Sequence, residues 1–375
     1  MTTAKFHGIL RLAPAIGMAA AAVLAALPAA AQSVADFYKK GGLRMVVASG
    51  AGGGYDGYTR VLVRHFSRYL PGNPNIVVQN MPGASGILAT NWLYNSAPRD
   101  GSRILATYSA LLSAPLLGND KARFDMRKFG FVGSIAKTQL LCITWHTSPY
   151  KDIRQTVGKE ITVPATGRTG NTAIQPLILN QLVGTRFRVI SGYSTSGTRL
   201  ALERGEVDAI CGLGVSTLQA SVPDWFIHKK VNIIAQIGLT SLPELKGVPN
   251  PIDFVGPKER EVLEFNAIQQ EIGRPYLAPP EVPADRLAAL QAAFEATMKD
   301  KAYLAENDKL KLETSPLSGK EMQVLINRLY SYSPDVLKRV SEILGIAEKS
   351  KVDDCATAAK DTKQCAGAKK KKKSS

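Results

Sequence analysis

Residues Met45 to Phe66, MVVASGAGGGYDGYTRVLVRHF, leave few options for the local fold. Met45 to Ala48 is an apolar run bounded by Gly42 and Gly50, the pattern of a buried strand. Tyr58, Val61, Leu62, Phe66 and Tyr69 recur at spacings of three and four, which is the apolar stripe of a helix. Between strand and helix, Gly50, Gly52, Gly53 and Gly54 remove the β-carbons that would hold a ligand off the backbone. Asp56 stands where a helix N-cap belongs. A helix start offers unpaired N–H groups and the positive end of a dipole, so the unit suits an anion such as a carboxylate or phosphate. A tight turn that only permits close packing is the plainer alternative.

The spacing argues against a nucleotide. A dinucleotide loop needs G-x-G-x-x-G/A and an acidic residue at the end of the next strand. Counting from Gly50 ends on Tyr55, and counting from Gly52 places the last glycine, Gly57, inside the helix. The next strand, Ile76 to Val78, ends in Gln79 and Asn80. No G-x-x-x-x-G-K-[ST] occurs.

Residues 1–31 read as a secretory signal peptide: Lys5 and Arg11 charged, Leu12 to Leu27 apolar, Ala29-Ala30-Ala31 a small-residue cleavage site. The apolar run is short for a membrane-spanning helix, which needs about 20 residues. The expected location is therefore the periplasm, after cleavage. The 375-residue chain has room for two domains with real cores. Its formal charge of +16 is concentrated at the end, where residues 349–375 carry nine lysines against three aspartates. The body is thus only moderately basic, which favours acidic solutes or anionic surfaces without choosing between them. Four cysteines fit an oxidising compartment. Cys142 with Cys211, and Cys355 with Cys365, either pair or remain free thiols. No Cys/His spacing matches a metal site, and no cofactor is expected.

Strand-like and helix-like segments alternate, which argues an α/β fold with a mostly parallel sheet. Strand Ile76 to Val78 runs into Pro82-Gly83-Ala84-Ser85-Gly86 and a short helix; strand Arg103 to Tyr108 ends in Ser109. Ligands of open α/β sheets bind at the carboxyl ends of strands, so these loops are expected to share a cleft with the first. A second unit begins at LLCITWH. It contains strand Ile161 to Val163, loop Ala165 to Gly170 and a helix from Asn171, then strand Phe187 to Ile190, loop Ser191 to Gly197 and a helix from Thr198. Both loops are rich in Ser, Thr and Gly and open helices, so each is an anion seat by the same argument. Strand Val207 to Cys211 follows, and Val231 to Leu239 is a strand able to return to the first unit.

In combination these segments make the chain resemble the solute-binding proteins of tripartite tricarboxylate transporters, from about Leu43 to Ile343. The carriers are strand–GAGGGYD–helix, VVQNMPGASG, APRDGSRIL, GYSTSG followed by LERGEVDA, and YLAPPEVPADRLAAL, in that order. The resemblance implies a two-lobe periplasmic-binding-protein-like α/β fold with a ligand cleft between the lobes. The implied ligand is a small carboxylate, held through backbone N–H groups, hydroxyls and waters. It implies first-lobe contacts at Ser49, Ala51, Gly52, Gly53, Tyr55 and Asp56, with Gly83, Ala84, Ser85, Gly86 and Ser109 nearby. Second-lobe contacts would be Thr166, Gly167, Thr169, Gly170 and Asn171, with Tyr193, Ser194 and Thr195. Arg168 could clamp a carboxylate bidentately or be a solvated loop cation. Asp208 would bond a ligand group or a loop N–H. The family's usual Pro-Pro before the glycines is replaced by Ser49-Gly50-Ala51, and the loop after Tyr193 is longer and richer in hydroxyls.

The expected organisation is a signal peptide over 1–31, a discontinuous first lobe over 32–141 and 236–348, a second lobe over 142–235, and a disordered basic tail over 349–375. The implied partners are the permease subunits of a tripartite transporter, or a sensor receptor, with the protein acting as a monomer. Lys369 to Lys373 have no interleaved aromatics, so nucleic acid is not expected as a partner. An exported hydrolase is the remaining alternative. No G-x-S-x-G elbow occurs, and His65, His146 and His228 lie outside the small-residue loops, so no catalytic residue is assigned.

Overall fold

A computed structural model describes residues 1–2, 32–52, 54–165, 171–193 and 195–345. Residues 3–31, most of the expected signal peptide, the C-terminal residues with Cys355 and Cys365, and Gly53, 166–170 and Ser194 lie outside the described residues.

The chain opens with α1 (Val34–Gly41), where the Ser33 hydroxyl accepts the Asp36 N–H at 3.1 Å as an N-cap, and continues into β1 (Leu43–Val47). Next come α2 (Gly54–Phe66), β2 (Ile76–Asn80), α3 (Ile87–Asn95) and β3 (Arg103–Ala106). β4 (Gly130–Ser134) and β5 (Leu140–Trp145) follow. The second unit continues with β6 (Glu160–Ala165), α4 (Asn171–Leu182), β7 (Arg186–Ser191), α5 (Thr195–Glu203) and β8 (Ala209–Gly214). Two short helices, α6 (Val215–Ser221) and α7 (Pro223–Ile227), lead to β9 (Val231–Ile237). The last stretch holds α8 (Pro257–Glu271), β10 (Pro275–Ala278), α9 (Ala284–Met298) and α10 (Lys301–Leu310). It closes with β11 (Leu317–Ser318), α11 (Gly319–Leu329) and α12 (Pro334–Ile343).

Six strands form one sheet in the order β11-β4-β10-β3-β1-β2. β2, β1 and β3 are parallel, whereas β10 runs antiparallel to β3 and β4, and β11 antiparallel to β4. The sheet is therefore mixed rather than mostly parallel: β10 enters from the carboxyl ends of β3 and β4, because the chain returns to the sheet at that edge. Strand alternation splits the core into two layers. Met45, Val47, Ile104 and Ala106 face Tyr58, Leu62 and Phe66 of α2 and Phe294 of α9. Val46, Leu105 and Leu277 face the other way, toward Leu93 of α3, Phe265 and Ile268 of α8, and Met322 of α11. Each fully buried Val, Leu, Ile, Phe or Met among these contributes about 1.5 to 3 kcal/mol.

The second unit contains an antiparallel sheet, β8-β5-β9, and the parallel pair β6-β7. Val231 to Ile237 pairs with β5 instead of returning to the first sheet, and the chain crosses back only after it. Cys142 and Cys211 are opposite each other across β5 and β8 and form a disulfide. Beside it the register slips by one residue. Gly212 takes up the bulge with φ of 89°, and a β-carbon there would come within 2.3 Å of the Asn171 carbonyl oxygen. The close approach seats the start of α4 against β8. The Asp208 carboxylate accepts the Thr162 N–H at 2.7 Å and its hydroxyl at 2.6 Å, tying the β6 edge to the approach to β8.

Two segments, Ile135 to Gln139 and Gly238 to Asn250, cross between the six-stranded sheet and the smaller ones. They touch: Gln139 Nε2 donates to the Thr240 carbonyl at 3.4 Å, and Gly238 has no space for a β-carbon beside the Gln139 amide. α4 spans both cores. Leu179 joins the cluster under the small sheets, while Ile178 and Leu182 join the large cluster with Phe265 and Ile268. Asn266 on α8 donates to the Gln175 side chain at 3.1 Å. Among the described residues, no helix is long and apolar enough to cross a membrane.

Candidate functional site

The loops after β1, β2 and β3 converge at the carboxyl ends of the three parallel strands. α2 begins at Gly54, so Asp56 lies in its first turn and not at the cap position. Its side chain reaches back. One carboxylate oxygen accepts the Gly52 N–H at 2.8 Å and Arg60 Nε at 2.9 Å; the other accepts Asn80 Nδ2 at 2.9 Å. Asn80, at the end of β2, also donates to the Ser49 carbonyl at 3.0 Å. Asp56 is 2% exposed. The Arg60 guanidinium, then the Gly52 and Asn80 donors, hold its carboxyl at about 2 against the opposing effect of burial. Asp56 thus shapes the glycine loop from within and has both oxygens engaged.

Tyr55 joins the first loop to the third. Its hydroxyl donates to the Gly273 carbonyl at 3.0 Å and accepts the Ser109 N–H at 3.3 Å. Its ring meets the Tyr108 ring edge-on, centroids 4.7 Å apart. Ser49 is buried and lies beside the Tyr108 hydroxyl. Gly86 closes the second loop against the Tyr108 ring, which would sit 2.6 Å from a β-carbon. Ala51 and Gly52 remain exposed on the loop surface.

Ala84 and Ser85, both exposed, have φ of 46° and 51°, between Gly83 at 151° and Gly86 at 89°. Two consecutive non-glycine residues in the left-handed region store strain, and such strain clusters at ligand loops. Successive N–H groups in turns of this kind form anion-binding concavities. Ala84→Gly is expected to keep the unfolding free energy within about 1 kcal/mol of the parent, because relief of strain and added chain entropy oppose. Ligand affinity should fall severalfold as the loop loses its fixed shape. Denaturant melts and calorimetric titration measure the two quantities; unchanged affinity would exclude the loop's conformation from the seat.

The second set of candidate residues gathers at the ends of β6 and β7. The Gly192 and Tyr193 N–H groups both donate to the Ala165 carbonyl, at 3.1 and 3.2 Å. Asn171 opens α4 and is exposed, Tyr193 is half-buried, and Thr195 opens α5. Asp208 is exposed at residue level, but its carboxylate serves the Thr162 N–H, the backbone alternative of its two expected roles. Thr166, Gly167, Arg168, Thr169, Gly170, Ser194 and Gly53 lie outside the described residues. A separate concavity of about 700 Å³, between Arg154, Phe254 and residues 241–250, is lined by none of the candidate residues. Among the described residues, no group of three His, Cys, Asp or Glu side chains is placed to hold a metal ion.

Arg274, immediately before β10, is the residue that sequence reasoning missed. Its guanidinium stacks on the Tyr55 ring at 4.5 Å and on the Tyr58 ring at 5.1 Å, beside the loop network. No local pattern marks it, since it stands alone between Gly273 and the four apolar residues of β10. Only the fold brings it to Tyr55.

No family model matches the chain. A UPF0065 protein of Bordetella bronchiseptica is 27% identical over 216 residues, which is 56% of this chain and 63% of that protein, so the chain spans less than two thirds of that relative. A UPF0065 protein of Cupriavidus necator is 26% identical over 267 residues, 64% of this chain and 77% of that protein. A TctC solute binding protein from Polaromonas superposes with a TM-score of 0.64 at 18% identity, covering 82% of this chain and 98% of that one. Rpa4515 of R. palustris, solved with adipate, gives 0.56 at 15% identity, covering 81% and 97%. MatC of Rhodopseudomonas palustris, solved with malate, gives 0.53 at 18% identity, covering 80% and 98%. The chain has the α/β fold of these solved structures, the fold that its sequence resemblance implied.

Proposed function

We propose that this protein is an exported solute-binding receptor that captures a small carboxylate and delivers it to the membrane subunits of a tripartite transporter. The observation that carries the reading is the convergence of three strand-end loops at the carboxyl ends of the parallel strands, locked together by Asp56, Asn80 and Tyr55. A preformed arrangement of that kind binds an anion without having to order itself first. The fold is shared with proteins solved with adipate and malate, which supports a carboxylate as the solute. In this reading residues 32–141 and 236–348 form the first lobe and 142–235 the second. Residues 1–31 direct export to the periplasm, and the receptor works as a monomer. The solute docks on the first lobe, and Asn171, Tyr193 and their neighbours close over it. Closure shifts the population only by the solute's preference for the closed state.

The test is a melting series of the purified protein with mono-, di- and tricarboxylates, amino acids and nucleotides. A bound solute at a hundredfold excess over its Kd should raise stability by about 2.7 kcal/mol. A shift with nucleotides alone, or hydrolysis of an added ester or amide, would overturn the proposal.

A further inference from the structure

We infer that Gln175 and Gln270 are positioning residues for capture: they form a polar switch between the two units, and the free Gln175 amide nitrogen bonds Gln270 as the lobes close. The inference rests on the solute-binding reading above and assigns residues to its conformational step. Gln175 lies on α4 and Gln270 on α8, 1% and 6% exposed. The Gln175 side-chain oxygen accepts Asn266 Nδ2 at 3.1 Å, and among the described residues its Nε2 has no hydrogen-bond partner. Neither Nε2 nor Oε1 of Gln270 has one. The main chain around Gln270 is by contrast held. Its carbonyl accepts the Thr138 N–H at 2.8 Å, from the first crossing segment, and the next residue, Glu271, pairs with Lys137 at 2.7 Å.

A buried amide without a partner is unfavourable, and folded proteins leave few of them. Here three such atoms lie on or one turn away from a single contact between the units, and departures of this kind concentrate at functional sites. Asn266 and Gln270 are four positions apart on α8, so they share a face and stand one turn, about 5.4 Å, apart along its axis. Gln175 sits between the anchored residues Ile178 and Leu182 and the exposed start of α4 at Asn171. A tilt about the anchored end therefore carries Gln175 through a fraction of the travel at Asn171. A displacement of up to one turn, much of it taken up by the long side chains, brings Gln175 Nε2 to Gln270 Oε1. That bond satisfies two of the three bare atoms at once. The resting and closed arrangements then differ by a definite contact, as a two-state element requires.

The experiment is calorimetric titration of the parent, Gln270→Met, Gln175→Met and the double variant with succinate, adipate and citrate, with a melt of each protein. Methionine is as long and flexible as glutamine and only weakly polar, so Q270M removes both bare atoms and strands no partner. Q270M should melt about 2 to 4 °C above the parent. It should also bind the acid about fivefold or more weakly, because the resting arrangement is stabilised and the closing bond is lost. Q175M should lose a similar factor, and the double variant no more than Q270M alone, since one bond is removed in each case. A merely structural role would move stability and affinity together, not apart. A Q270M that melts lower or fails to fold overturns the inference, because its amide is then satisfied where it stands. Unchanged affinity in Q270M, or additive losses in the double variant, overturns this inference alone. A parent that binds none of the three acids overturns the solute-binding reading as well.

Discussion

Converting both Cys142 and Cys211 to alanine is expected to lower the unfolding free energy by about 4 kcal/mol. The bond closes a loop of 69 residues, and a cross-link of that span removes much of the freedom of the unfolded chain. Both sulfurs are fully buried in the layer containing Ile161, Val163, Phe187 and Ile234, so their loss also removes packing. Urea unfolding of the double variant beside the parent measures the difference, and the parent in reducing buffer should show the same loss. A change under about 1 kcal/mol would mean that the second unit is held by its sheets alone. Ligand affinity should fall with stability, since β5 and β8 carry the surface against which α4 starts.

Asp56→Ala should cost about 2 to 3 kcal/mol, because it strips a buried carboxylate from three donors and leaves the Gly52 N–H and one of the two Asn80 amide hydrogens without their partner. The effect has a pH signature. The folded carboxyl titrates at about 2, below the ordinary range, so its contribution is complete above about pH 4 and disappears as pH falls toward 2. The shift corresponds to about 2 kcal/mol. The parent should therefore lose stability between about pH 4 and 2 in excess of Asp56→Asn, whose curve lacks that component. Parallel curves for the two proteins over that window would contradict the assigned role. Carboxylate affinity in D56A should drop by about tenfold or more at neutral pH, as the glycine loop loses its anchor.

Much of the fold could be read in the sequence where the apolar period was clean. β1 with α2, β2 with its glycine loop, and the two strand–loop–helix units of the second half all occur within a few residues of their expected places. α8 escaped notice because Val262, Leu263, Phe265, Ala267 and Ile268 are buried around much of its circumference, which erases the stripe. β10 escaped because it is four residues long and set between prolines. Its Pro275 lacks an N–H yet still accepts the Thr107 N–H at 3.3 Å. The candidate site was legible as a set of loops, but not in its division of labour. Local spacing placed Asp56 at a helix start without revealing its bonds to Asn80 and Gly52, and nothing in the sequence tied Arg274 to Tyr55, 219 positions away by number.

If the protein captures a solute as proposed, the helix that crosses from one core to the other would govern how the lobes move: Ile178 and Leu182 are plugged into the larger body, while the opposite end of the same helix begins at the exposed Asn171. Pulling both plugs out would cost about 3 to 6 kcal/mol, too much for a resting state to spend. In the proposed closure the second lobe would pivot at the buried end of α4, and a small tilt there would become a larger travel at Asn171.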